Sequence, residues 1–251
     1  MPLRRRRDPA PERLATWPAI IDHWCAHARR LDQAQRARLV ELAVELAGRV
    51  RWEASNGFAL TEIHRAVVAG HAAVLVLGLD LEQYRNVRSI LLTPGVVIDR
   101  AARGTLARGV VTDSPVAMAG QARPADRLVM LSWASVRAQS RTPQFGRHVV
   151  YHEFAHHLDQ LDALLDGTPP IADDDDRRRW IEVCTRRYDD VRFERSSALL
   201  QPYAATGPAE FFAVASELFF TRPLPMRDEL GDLYEVLAGY YRQDPAALPP
   251  P

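Results

Sequence analysis

Apolar and polar positions along this chain repeat mostly with a helical period, and in two places with the short run of a strand. Over residues 17–50, Leu31, Leu39, Leu42 and Leu46 recur at helical spacing with arginines and acids between them. Asn56-Gly57 marks a turn, and the run AVVAGHAAVLVLGL at 66–79 predicts a buried helix that starts at Thr61 and ends near Leu79. Two apolar runs, SILLTPGVVI at 89–98 and RLVMLSWASV at 127–136, predict strands separated by a Gly- and Pro-punctuated stretch. The strongest helical stripe lies over 147–166, where Val150, Phe154, Leu158, Leu161 and Leu165 follow at spacings of four, four, three and four. Gly167 and Pro169-Pro170 stop it. A polar loop with acids at 173–176 leads into a helix through Trp180 and Val183. A further helix begins near Pro208, since a proline in the first turn loses no intrahelical bond, and closes before Pro223. The last helix is expected over 228–241, with residues 1–12 disordered and the tail 246–251 frayed.

Composition adds limits. Of 251 residues, 47% are hydrophobic and 25% charged, the balance of a globular protein with a real core. The 32 basic and 32 acidic side chains cancel, so no general attraction to nucleic acid or to an anionic membrane is expected. Every basic residue is arginine, which points to a GC-rich genome and not to phosphate recognition. Cys25 and Cys184 make no C-x-x-C pair and cannot build a disulfide framework, so both are expected as reduced thiols. The N-terminal arginines are not followed by the apolar stretch of a secretory signal, and the 66–79 run is too short to cross a bilayer. A cytoplasmic protein is expected.

The chemistry is concentrated in His152-Glu153-Phe154-Ala155-His156, an HExxH motif inside the strongest helix. Histidines four apart stand one turn above each other, so both imidazoles can converge on one cation, and two neutral imidazoles suit zinc. Phe154 points about 200° away from His152 around the helix, so the ligand face and the core stripe lie on opposite sides. Glu153 reaches a metal-bound water from the side, the geometry of a general base. Catalytic zinc takes three protein ligands and leaves one position for water, so a third ligand must come from elsewhere. Glu210 and Glu217 share a helix face but lie about 10 Å apart along its axis, too far to bind one ion together. Spacing alone leaves open which of the two serves, and each alone reads as a solvated helix residue. Phe211, Phe212, Ala215, Leu218 and Phe219 form the opposite, apolar surface that would anchor this helix.

In HVVYHEFAHHLD (148–159), YAATGPAEFFAVASELFF (203–220) and LSW (131–133), and more loosely over 56–84, the chain resembles the Mlc titration factor A family of bacterial zinc peptidases. The catalytic part of that family is similar to anthrax lethal factor. The resemblance implies an α+β, zincin-like (gluzincin) metallopeptidase domain with a small mixed sheet and a largely helical N-terminal part. It implies one zinc ion on His152, His156 and Glu210, with Glu153 as catalytic glutamate and Tyr203 facing the developing oxyanion. Small peptides or aminopeptidase-type substrates follow as the expected class. The domain is expected over 13–245, helical to about 85 and catalytic from about 86. Where relatives tend to have Gly-Glu-Ala and Gly-Pro-Val before LSW, this chain has Gly120-Gln121-Ala122 and Asp126-Arg127-Leu128, in the region of the expected substrate-binding sheet edge.

The name of that family, which comes from binding a glucose repressor, implies a rival reading of another class: a regulatory protein that sequesters a transcriptional repressor, its zinc site structural or vestigial; a metal-free helical interaction module is a third. The remaining singled-out residues have plain readings. His157 lies about 100° round the helix from His156 and is expected at the surface or behind a ligand. Asp159 either orients an imidazole or is helix-surface charge. The acids at 173–176 suit a helix N-terminus better than a cation, and His23 and His27 are expected to be structural.

Overall fold

The computed structural model describes residues 11–249 except 56, 96, 100–103, 108–109, 113–115, 119, 124–126 and 142–145; for the strands between 97 and 123 it describes the backbone. The expected disorder of residues 1–10 lies outside the described residues, but Pro11 and Glu12 already belong to a helix. Proline at a first helical position and an acid in the first turn both favour that start. In chain order the helices α1 (Pro11–Trp24), α2 (Ala26–Arg30) and α3 (Gln33–Arg49) are followed by strand β1 (Arg51–Ala54) and helix α4 (Glu62–Leu75). Then come strands β2 (Ser89–Thr93), β3 (Val97–Asp99), β4 (Gly104–Ala107), β5 (Val110–Thr112), β6 (Val116–Met118), β7 (Gly120–Arg123) and β8 (Leu128–Ser132). Helices α5 (Trp133–Arg141), α6 (Val149–Asp159), α7 (Asp174–Arg192), α8 (Pro208–Thr221), α9 (Pro223–Glu229) and α10 (Gly231–Tyr241) complete the chain.

Local chemistry sets several of these boundaries. Asp32 with Gln35, and Thr61 with His64, form reciprocal capping boxes at the starts of α3 and α4. Asp173 caps α7 by accepting the amides of Asp175 and Asp176, so the acids at 173–176 serve a helix start, as their composition suggests. Such caps stabilise by about 1 kcal/mol each.

The fold is α+β and mostly helical. The main sheet has the order β1-β2-β8-β7, with β1, β2 and β8 parallel and β7 antiparallel at one edge. Two antiparallel ribbons, β3 with β6 and β4 with β5, accompany it. Helix α6 packs against β7 and β8, against α4, and against α8. Phe154, Phe212, Phe219, Trp17, Trp180 and Tyr241 are among the largest fully buried side chains and belong to the same core as Ile90 of the sheet and the leucines of α3. Among the described residues no helix is long and apolar enough to cross a membrane.

Several expected boundaries are corrected. The helix expected over 147–166 ends at Asp159 and tightens into a 3-10 turn, Gln160–Asp162, closed by Ala163 at φ +71°. Side chains of Asp159 and Asp162 take the amides of Gly167 and Leu164, offering the backbone an alternative to further helix, and Leu165 is left 47% exposed. The strand expected over 89–98 breaks after Thr93, because Pro94 has no amide to give the ladder. In the 127–136 run only Leu128–Ser132 is strand; Ser132 Oγ accepts the amide of Ser135 and α5 begins. Strand β1 was not expected, and the last helical region starts earlier, at Pro223, with a break at Leu230. Residues 246–249 are held and not frayed. Arg30 donates to the carbonyls of Pro245, Leu248 and Pro249 at 2.8, 2.8 and 2.6 Å, and the buried Ala246 donates its amide to Tyr234.

Buried histidines should make the fold acid-labile. Burial, aided by the charge of Arg30, pushes His27 down to about 3; burial does the same to His71 and takes His157 to about 4. A histidine whose folded value is depressed leaves the unfolded chain binding more protons once the pH falls below the ordinary value of about 6.5. Each then removes about 1.4 kcal/mol of stability per pH unit on the way down to its folded value. Asp159, raised by burial to about 6, runs the opposite way and offsets one of them. Urea denaturation of metal-free protein should therefore show unfolding free energy dropping between pH 6.5 and 5. A flat profile across that window would contradict the burial of these rings as neutral species.

Candidate metal centre

Helix α6 carries His152 and His156 on the side away from Phe154, which is fully buried, with Glu153 about 100° round the helix from His152. Helix α8 lies along it, anchored by the buried Phe211, Phe212, Ala215, Leu218 and Phe219, the apolar face expected from the sequence. The loop after α6 fixes the start of α8. Gly167 sits at φ +80°, and a Cβ there would stand 2.4 Å from the carbonyl oxygen of Pro208, the first residue of α8. Asp159 accepts the Gly167 amide at 3.0 Å, and the Trp180 indole donates to the Gly167 carbonyl at 3.1 Å. Asp159 is fully buried and holds this loop; it does not face solvent, and no hydrogen bond joins it to an imidazole among the described residues.

This packing brings His152, His156 and Glu210 together. Glu210 Oε2 lies 3.1 Å from His152 Nε2 and 3.5 Å from His156 Nε2, and the two Nε2 atoms are 3.2 Å apart. Donor atoms about 2.0–2.1 Å from a tetrahedral ion stand about 3.4 Å from one another, so these three atoms mark one face of such a polyhedron. Glu210 Oε2 is buried, and no donor among the described residues is aligned on it as a hydrogen bond. Each of the three atoms can present a lone pair toward one point, an arrangement that a divalent cation would satisfy. Two imidazoles and one carboxylate are a donor set suited to zinc-like ions. These are the one group of three or more His, Cys, Asp or Glu side chains with such clustering among the described residues.

The electrostatics agree. Burial opposes ionisation of Glu210, but contacts with His152 and His156 hold its carboxyl far below the usual range. Burial likewise opposes a charge on His152, and the carboxylates of Glu210, Glu217 and Glu153 overcome it. The site thus attracts positive charge. Glu153 is buried, and its charge acts on both His152 and Tyr203. Tyr203 stands in a 3-10 turn, Pro202–Thr206, half-exposed, with its ring 6.1 Å from that of His152. Burial first, then the carboxylates of Glu210, Glu153 and Glu217, push its hydroxyl above the usual phenol range, so it stays a proton donor.

Every residue expected at the site is therefore gathered there. Glu217, the other candidate that spacing left open, is there as well, in a role the sequence did not suggest. Read alone as a solvated helix residue, it is buried: Oε1 lies 2.8 Å from His152 Nδ1, and Oε2 accepts the backbone amide of His148. Its only sequence signal is its place two turns after Glu210 on the same helix face. His157 is buried beside Phe154 and not at the surface. His23 and His27 do not converge on a cation: their rings stand edge-on to Trp24 and to Phe220.

Comparison with known proteins adds a family. The sequence profile of the family described as "Glucose-regulated metallo-peptidase M90" matches residues 2–242. The chain is 30% identical over 233 residues to an uncharacterized protein of Synechocystis, covering 91% of this chain and 84% of the relative. To the Mlc titration factor A of Serratia proteamaculans it is 30% identical over 251 residues, 97% of this chain and 92% of the relative. To that of Klebsiella pneumoniae it is 28% identical over 223 residues, 86% and 82% of the respective chains.

Proposed function

The chain belongs to the glucose-regulated metallo-peptidase M90 family, and on that premise we propose that it is a zinc-dependent peptidase of the gluzincin type. His152, His156 and Glu210 hold the ion, Glu153 is the general base and Tyr203 the oxyanion donor. The observation that carries this reading is the triangle of donor atoms 3.1, 3.2 and 3.5 Å apart beside a buried glutamate. Bound zinc would supply an acidified water and a polarised carbonyl. Glu153 takes the proton of the attacking water and passes it to the leaving amine. The Tyr203 hydroxyl donates to the oxygen that becomes negative as the peptide carbon turns tetrahedral. Strand β7, at the sheet edge against α6, offers backbone groups to an extended peptide. Small peptides cleaved in aminopeptidase fashion are the substrate class. Residues 13–245 act as a single domain, helical to about 85 and catalytic beyond, working in the cytoplasm.

A second reading rests on the relatives named Mlc titration factor A. By extension, this chain binds a transcriptional repressor of the Mlc kind, with hydrolysis secondary or lost. Three protein ligands with a base beside them favour hydrolysis, because a purely structural zinc site is normally closed by four. A panel of fluorogenic aminoacyl and peptide substrates, assayed before and after chelation and again after zinc is returned, decides between them. The proposal expects activity that disappears with the metal and comes back with it. No hydrolysis by the zinc-loaded protein, together with tight capture of a purified repressor, would hand the function to the second reading.

A further inference from the structure

We infer that Glu217 is the positioning residue of this centre: its carboxylate holds the His152 imidazole with the proton on Nδ1 and so presents Nε2 as the donor atom. The inference rests on His152 being a metal ligand, as proposed above. A neutral imidazole carries one N–H, and a nitrogen that faces a carboxylate can donate it. Both ring nitrogens face a carboxylate, Nδ1 that of Glu217 at 2.8 Å and Nε2 that of Glu210 at 3.1 Å; with a cation between Nε2, Glu210 and His156, the one proton of the neutral ring would stay on Nδ1, against Glu217. The two acids of α8 thus take the two nitrogens of one ring. Glu210, in the first turn, meets Nε2, and Glu217, two turns on, meets Nδ1.

The second oxygen of Glu217 does separate work. It accepts the amide of His148, which flanks the first turn of α6 and whose own side chain makes no capping bond. Helix starts leave amides without intrahelical partners, and here one is satisfied from a neighbouring helix. One buried group therefore ties the ligand ring, the start of its helix and the helix that brings Glu210. Both oxygens must accept, because both partners are N–H groups. Glutamine has the same shape but one acceptor and one donor, so it would set an NH2 against one of the two N–H groups. A carboxylate with only 8% of its side chain exposed is costly to bury unless such bonds are made.

Zinc affinity measured by competition with a chelator, and imidazole nitrogen spectra of histidine-labelled protein loaded with cadmium-113, test the assignment. In the wild type the cadmium should couple to Nε2 of His152 and not to Nδ1, whose proton should be visible in a hydrogen bond. Glu217→Gln should weaken zinc binding by about 10- to 100-fold, the usual cost of losing such a partner, and Glu217→Asp, with two acceptors, should recover part of the loss. Coupling to Nδ1 in the wild type, or a folded Glu217→Gln that binds zinc as tightly as wild type, would overturn the inference. Failure of the underlying reading looks different: His152→Ala would then bind zinc like the wild type.

Discussion

Glu210→Ala should leave the protein unable to hold its metal. Four-ligand zinc sites bind with about 10–16 kcal/mol, or about 3 kcal/mol per ligand, so losing one of three weakens affinity on the order of a hundred- to a thousandfold. The lost ligand is also the anionic member of the set, the carboxylate that the two histidines hold far below its usual range. Chelator competition measures the effect. Glu217→Ala is the control, since it removes a group that touches His152 only through Nδ1, and its cost should stay within about 10- to 100-fold. If Glu217→Ala lost the metal more readily than Glu210→Ala, the roles of the two acids would have to be exchanged.

Glu153→Gln should keep the metal and lose the reaction. Glutamine fills the same buried space beside the ligand helix's core but cannot accept a proton at neutral pH. A positioned general base is worth about 10²- to 10⁴-fold in rate, so turnover should fall by that factor with zinc content unchanged. Initial rates on the best substrate of the panel, divided by measured zinc, give the result directly. A variant with full zinc and full activity would remove Glu153 from the mechanism.

What the sequence made legible was the local part. Histidines 152 and 156 declare themselves because an i, i+4 pair on an amphipathic helix has only one way to point, and Phe154 fixes that direction by being buried. The start of α8 could be read from Pro208, and its anchored face from the run of phenylalanines. Where backbone and side chains compete, the reading failed. Asp159 and Asp162 capture amides that a longer helix would have used, so the stripe through Leu161 and Leu165 extends past the real end of α6. The short β1 strand, Arg51–Ala54, has no apolar run to announce it and exists through its parallel ladder with β2.

Long-range chemistry was the least legible. Glu217 looks like any helix-surface acid until α6 is laid against α8 and brings His152 and the His148 amide to its two oxygens. Nothing near the C-terminus suggests order either; the grip comes from Arg30, more than two hundred residues away in sequence. The placing of Glu210 over Glu217 as ligand likewise came from resemblance, because spacing alone could not rank them. In the structure Glu210 Oε2 approaches Nε2 of both histidines, whereas Glu217 approaches Nδ1 of one, and the proposal of Glu210 as ligand builds on that difference.

X-ray absorption at the zinc edge, on protein carrying one ion per chain, reports the coordination itself. Two imidazole nitrogens, one carboxylate oxygen and one further oxygen from water, all near 2.0–2.1 Å, are the expected shell, and it should lose an imidazole in His156→Ala. Failure to take up a stoichiometric ion, or a shell closed by four protein ligands and unchanged in that variant, would contradict the account at its centre.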